Sequence, residues 1–190
     1  AAEAGENRYG VAVIIGNKDY QGGVPSVRYA HSDADAMYKF VTEVLRYREG
    51  NIIDLRNAGQ TEMISVFGTS EDHRGKLYQY VRTGRSDVLV FFSGHGIPGI
   101  RSKKGYLLPV DADPATVELN GYPIDVLYDN LLKIEAKSVT VYLDACFSGD
   151  SPQGMLIQSA SPVFVKAELP EAGGELTVLT AATGQQLASW

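Results

Sequence analysis

Asp87-Val88-Leu89-Val90-Phe91-Phe92-Ser93-Gly94-His95-Gly96 decides the fold. Five consecutive apolar residues, too few for a core helix and closed by glycine, read as a strand of an interior sheet. Val139–Leu143 repeats the pattern downstream and runs into Asp144-Ala145-Cys146. Upstream, Val11–Ile15 and Asn51–Leu55 read as two more strands, and Leu176–Leu179 as a fifth. Helical spacing fills the intervals. Ala36, Phe40 and Val44, with Met37, Val41 and Leu45 beside them, predict a helix ending near Gly50. Thr61 is expected to cap a helix carrying Ile64, Val66 and Phe67, interrupted by Gly68 and Gly75, with helical pattern resuming at Leu77–Val81. Pro123–Ile134 reads as a helix before the fourth strand. Such alternation predicts an α/β fold with a mainly parallel sheet and helices on both faces. The stretches Gly94–Gly121 and Phe147–Gly174 break the pattern, and they follow strands three and four, where an open α/β sheet keeps its site.

The 190 residues suit one domain with a single sizeable core. A net charge of −6 gives no reason to expect nucleic acid or an anionic membrane as partner. Cys146 is the only cysteine, which rules out an intramolecular disulfide. No apolar stretch approaches the roughly 20 residues of a membrane span. No signal-peptide pattern opens the chain, so a cytoplasmic location is the expectation, although Ala1 is not read as a native start.

Gly94-His95-Gly96-Ile97-Pro98-Gly99 matches G-x-G-x-x-G, but a dinucleotide loop must open a helix, and Pro98 with the polar run Arg101–Lys104 argues against one. Asn17-Lys18-Asp19 hints at guanine recognition with the wrong spacing and is set aside. The better reading of Ser93-Gly94-His95-Gly96 is a histidine held on a turn at a strand's carboxyl end, with the Gly96 N–H left as a donor. A lone cysteine is more often an inert small hydrophobe than a nucleophile. The pairing changes the reading: His95 and Cys146 are 51 positions apart, both at strand ends in glycine-flanked turns. A thiol with pKa near 8.5 is mostly protonated at neutral pH, and a neighbouring imidazole raises its thiolate fraction. His31 and His73 sit in polar turns and need no catalytic role. Three histidines and one cysteine without close spacing do not make a zinc site.

Ser93-Gly94-His95-Gly96 and Asp144-Ala145-Cys146-Phe147-Ser148-Gly149 resemble the two signature motifs of metacaspases and their prokaryotic relatives, the orthocaspases. Arg28-Tyr29-Ala30-His31-Ser32-Asp33 and Leu108-Pro109-Val110-Asp111 resemble the same family, so the likeness runs from about Tyr9 to Thr183. The resemblance implies a caspase-like three-layer α/β sandwich, with 1–190 as a single large-subunit-like catalytic domain. It implies a further small-subunit-like part beyond Trp190, which makes a separate small-subunit fragment a possible partner. It also implies cysteine endopeptidase activity on a peptide or protein substrate, with Cys146 as nucleophile and His95 as acid–base partner. The N–H groups of Gly96 and Cys146 would form the oxyanion hole.

In that family an acid two before the cysteine, a serine two before the histidine and an acid after the first strand surround an Arg or Lys side chain. Those positions are Asp144, Ser93 and Asp33 here. Asp144 could instead orient His95 or serve the strand end, and Asp33 could be a helix N-cap. Arg28 leaves open the acidic preference of true caspases, and a catalytically silent caspase-like interaction module is the alternative from another class. Metacaspases often need calcium. Val126 and Gln153 stand where the resemblance places acids, so no metal cofactor and no calcium requirement are expected. Lys166, the only basic residue between Cys146 and Trp190, is the candidate self-processing position.

Overall fold

The computed structural model describes residues 6–102, 104–145, 150–151, 154–155 and 176–180. In chain order the elements are β1 (Val11–Gly16), α1 (Ala30–Lys39), β2 (Ile52–Arg56), α2 (Gln60–Phe67), α3 (Lys76–Tyr80), β3 (Asp87–Ser93), β4 (Gly96–Pro98), β5 (Gly105–Leu107), α4 (Val117–Asn120), β6 (Tyr122–Pro123), α5 (Ile124–Lys133), β7 (Ser138–Asp144), β8 (Asp150–Ser151), β9 (Gly154–Met155) and β10 (Leu176–Thr180). Five strands form one sheet in the order β10-β7-β3-β1-β2, and every pairing in it is parallel. All five strands expected from the sequence are present, each within a residue or two of its expected bounds.

Two hydrophobic layers hold the sheet. One side chain set of β1 and β3, with Val13, Ile15, Val90 and Phe92, packs against Met63, Val66 and Phe67 of α2, Leu77 of α3 and Leu127 and Leu131 of α5. The other set, Ala12, Ile14, Leu89 and Phe91, packs against Ala34 of α1 and Val41 just beyond it. These are the two faces of a pleated sheet, since successive side chains alternate. β7 alternates between buried Val139, Val141 and Leu143 and half-buried Ser138, Thr140, Tyr142 and Asp144, in step with its sequence.

The remaining differences are local. α1 starts at Ala30, earlier than its apolar spacing shows, and passes into a π-helical turn at Phe40–Val44. Asp33 therefore lies inside the first turn, not at the N-cap, which is Tyr29. Thr61 likewise is not a cap: α2 begins at Gln60 with Gly59 before it, and the Glu62 carboxylate accepts the Gly59 N–H at 3.0 Å. Gly68 ends α2 at a φ of +84°, a backbone conformation that favours glycine. The stretch that broke the pattern after β3 contains a small antiparallel sheet, β4-β5-β6. Its strands of two and three residues carry too little periodicity to be seen in sequence.

Candidate active site

The strand order places the topological switch between β1 and β3, because the chain leaves β1 to one side for β2 and returns to the other for β3. Such a crevice at the carboxyl ends of parallel strands is where open α/β sheets bind ligands. The segment leaving β1, the turn after β3 and the end of β7 meet there.

Asn17, directly after β1, is fully buried and ties this edge together. Its Nδ2 donates to the Ala58 and Leu108 carbonyls, both at 3.2 Å, and its Oδ1 accepts the Ala58 N–H at 2.7 Å. Its own N–H donates to the Ser93 carbonyl at 2.8 Å. One residue, through its side chain and its own N–H, thus joins the ends of β1 and β3 to the loops after β2 and β5.

Ser93 and Asp144 are register partners at the ends of β3 and β7. Ser93 continues the series of Leu89 and Phe91, and Asp144 that of Tyr142, all on the α1 face of the sheet. The Ser93 hydroxyl donates to the Asp144 carboxylate at 3.3 Å, and the Gly94 N–H donates to the Asp144 carbonyl at 3.2 Å. Burial pushes the Asp144 carboxyl up, the Ser93 hydrogen bond opposes this, and the Asp33 carboxylate adds to the rise. Asp33, half-buried on α1, is also pushed up by burial. Ser93 and Asp144 are thus bonded to each other, and Asp33 lies near enough for its charge to act on Asp144. Among the described residues neither carboxylate has a Lys or Arg within ion-pair distance. Arg28 is exposed, with its guanidinium 5.3 Å from the Tyr29 ring centroid.

His95 is 5% exposed. One ring nitrogen, Nε2, lies 2.7 Å from the Pro25 carbonyl. A carbonyl can only accept, so Nε2 carries the proton and Nδ1 is left as the acceptor. The orienting partner of His95 is thus a backbone carbonyl, and Asp144 is engaged with Ser93 instead. The His95 N–H donates to the Tyr20 hydroxyl at 2.8 Å, and the Tyr20 and His95 rings lie 4.8 Å apart at 47°. Burial pulls the imidazole pKa below its usual value, only partly offset by the Pro25 hydrogen bond. Burial likewise pushes the Tyr20 phenol up.

Gly94 lets these groups approach. A Cβ there would come within 2.6 Å of the Tyr20 hydroxyl and 2.9 Å of the Phe92 ring. The Leu108 N–H reaches the His95 carbonyl at 2.9 Å, and the Gly99 N–H the Lys104 carbonyl at 2.7 Å. Hydrogen-bonded pairs alternate along an antiparallel ladder, so the intervening pair Gly96–Leu107 is a non-bonded one and the Gly96 N–H turns away from β5.

Cys146 and Lys166 lie outside the described residues; the last described residue before the cysteine is Ala145, buried at the end of β7. Asn17, Tyr20 and Pro25 were not found from the sequence. Asn17 stood in a mis-spaced motif, Tyr20 in a polar loop, and a backbone carbonyl leaves no residue-type signal.

The family model of the caspase domain matches residues 9–186. The chain belongs to the caspase-domain peptidase family. The crystal structure of caspase-1 from Spodoptera frugiperda is similar to this caspase-domain chain, with a TM-score of 0.57 and 16% identity over 94% of the chain. At that identity the likeness speaks for the fold. The match spans 60% of the insect caspase's own length. No curated protein matches the sequence. No helix among the described residues of this caspase-domain chain is long and apolar enough to cross a membrane.

Proposed function

We propose that this chain is a cysteine endopeptidase that cleaves after Arg or Lys. The observation that carries the proposal is the 2.7 Å contact between His95 Nε2 and the Pro25 carbonyl. A neutral imidazole whose Nε2–H is committed to the Pro25 carbonyl keeps Nδ1 as a base, at the end of the strand that pairs with the one leading into Cys146. A depressed imidazole pKa favours the neutral form that can take a proton.

In this reading Cys146 gives its thiol proton to His95 Nδ1, and the thiolate attacks the substrate carbonyl. The resulting oxyanion accepts hydrogen bonds from the N–H groups of Gly96 and Cys146. The orientation of the Gly96 N–H away from β5 supports that role. The imidazolium then protonates the departing amine, leaving a thioester. Water, deprotonated by the same imidazole, attacks the thioester and releases the carboxylic acid and the thiol.

Asp144 and Asp33 would supply the specificity. Two neighbouring carboxylates, both pushed toward protonation, are an electrostatic cost that an arriving guanidinium or ammonium relieves. Ser93 holds one oxygen of Asp144 and leaves the other for a charge-assisted hydrogen bond.

The test is a panel of fluorogenic peptides that differ only in the residue before the cleaved bond, assayed with wild type, Cys146→Ala and His95→Ala. Cleavage after Arg and Lys, with loss of about 10²-fold or more in each variant, is expected. Cleavage by Cys146→Ala at the wild-type rate sinks the mechanism, and a preference for Asp sinks the pocket assignment.

A further inference from the structure

The amino-terminal edge of the sheet, opposite His95, carries a second polar recess. Strands of about six residues at ~3.3 Å each put the two edges roughly 20 Å apart. The recess has a volume of about 230 Å³ and is lined by Arg8, Tyr9, Arg48, Asn51, Tyr80 and Arg82. We propose that it is a binding site for a phosphate group.

Three connections build it: the segment entering β1, the turn entering β2, and the link from α3 to β3. Each is held by its own hydrogen bonds. The Asn51 carboxamide donates to the Arg8 carbonyl at 3.2 Å and the Gly10 carbonyl at 3.1 Å. The Arg82 N–H donates to the Ser86 hydroxyl at 2.9 Å, and the Ser86 N–H returns to the Arg82 carbonyl at 3.0 Å. Arg85, on the same turn, lies 4.3 Å from the Tyr9 ring centroid, so a fourth cation is held near the rim.

The charge is unbalanced. Arg48 pairs with Glu6 at 2.7 Å, both exposed, and that guanidinium holds the Glu6 carboxyl below its usual range. Among the described residues Arg8 and Arg82 have no acid within ion-pair distance. This concentration stands in a chain of net charge −6, so it is not the by-product of a basic protein. The docked Glu6 carboxylate shows the kind of group the rim accepts.

Arginine presents a planar fork of donors that matches tetrahedral oxyanions in bidentate fashion. At ~30 Å³ per water, the recess holds the volume of about eight waters, enough for one phosphate group with part of its hydration shell. Free phosphate and a phosphorylated side chain share this chemistry.

Calorimetry on the full chain distinguishes them, using inorganic phosphate, a short phosphoserine peptide and the same peptide unphosphorylated. Saturable phosphate-dependent binding with a Kd of about a millimolar or tighter, weakening as salt rises, is expected. The Arg8→Gln/Arg82→Gln variant should lose at least about tenfold in affinity, and Lys137→Gln, which alters an exposed cation paired with Asp87, should lose none. Arg82→Lys keeps the charge but not the fork and should weaken binding to an intermediate degree, which gives a readout even if the double variant folds poorly. Tighter binding of the phosphopeptide than of phosphate identifies a phosphorylated side chain as the ligand; the reverse identifies free phosphate. No saturable binding up to about 20 mM of any phosphate probe, or equal affinity in wild type and the double variant, overturns the site.

Discussion

Replacing Asn17 by alanine should loosen the whole carboxyl edge of the sheet. The side chain is fully buried and makes three hydrogen bonds to main-chain groups, at the Ala58 N–H, the Ala58 carbonyl and the Leu108 carbonyl. Alanine leaves the Ala58 N–H and the Leu108 carbonyl unpaired in a dry environment, while the Ala58 carbonyl keeps the Val110 N–H at 3.0 Å, and it leaves a void where the carboxamide stood. At about 2 kcal/mol for each of the two unpaired groups, the loss is about 4 kcal/mol. That is a large share of the 5–15 kcal/mol typical of a folded domain. With a urea dependence of about 2 kcal/mol per molar, the unfolding midpoint should fall by about 2 M. Asn17→Asp separates shape from hydrogen bonding: it retains an acceptor for the Ala58 N–H but turns an oxygen toward two carbonyls, and it should also destabilise strongly. Urea titrations followed by circular dichroism measure both. A midpoint shift under about 0.5 M for Asn17→Ala would show that the edge is held by something else, and the hub assignment would fail.

In a Cys146→Ala background the His95 ring should titrate below ~6.5 by NMR; the native state then binds fewer protons than the unfolded chain in that window, so stability falls as pH drops through it. A midpoint at or above 6.5 contradicts the burial argument. Asp144→Asn should reduce kcat/KM for Arg substrates by at least about 30-fold. In wild type that quantity should decline on acidification from a pH above the usual carboxylate range, since both pocket acids are pushed up; an unchanged Arg preference in Asp144→Asn refutes the role. Peptidase activity should survive chelation of calcium, and a strict millimolar requirement would show that acids elsewhere in the chain bind it. Incubated wild type should yield a fragment ending at Lys166 that Cys146→Ala does not, and fully active enzyme uncut at Lys166 counts against self-processing.

The sheet was readable because its central strands are apolar on both faces, so Val11–Ile15 and Val88–Phe92 stand out against any background. His95 was readable as a polar residue between two glycines directly after the second run, whereas Ser93 and Asp144 entered through the resemblance to metacaspases. What escaped notice is what the chain does with its backbone. The Pro25 carbonyl sets the His95 tautomer, yet no property of proline announces it. Asn17 binds three separated segments, but its role exists only after they meet. The start of α1 was missed for a related reason: Ala30, His31 and Ser32 continue the helix through main-chain bonding and burial of Ala30, without apolar spacing to mark it.

The parallel pairing of β3 with β7 carries a consequence for how the molecule comes into being. Ser93 and Asp144 are 51 residues apart and meet only through a crossover, with no hairpin to bring them together early. Contacts of that span are slow to form, because the entropy of closing the intervening loop is lost before the contact repays it. The acidic pair and the turn bearing His95 therefore exist only once these distant strands have paired. A chain still emerging from synthesis, or one opened locally at this edge, holds every residue of the site and none of its geometry. Folding itself acts as the first control over when this site can exist.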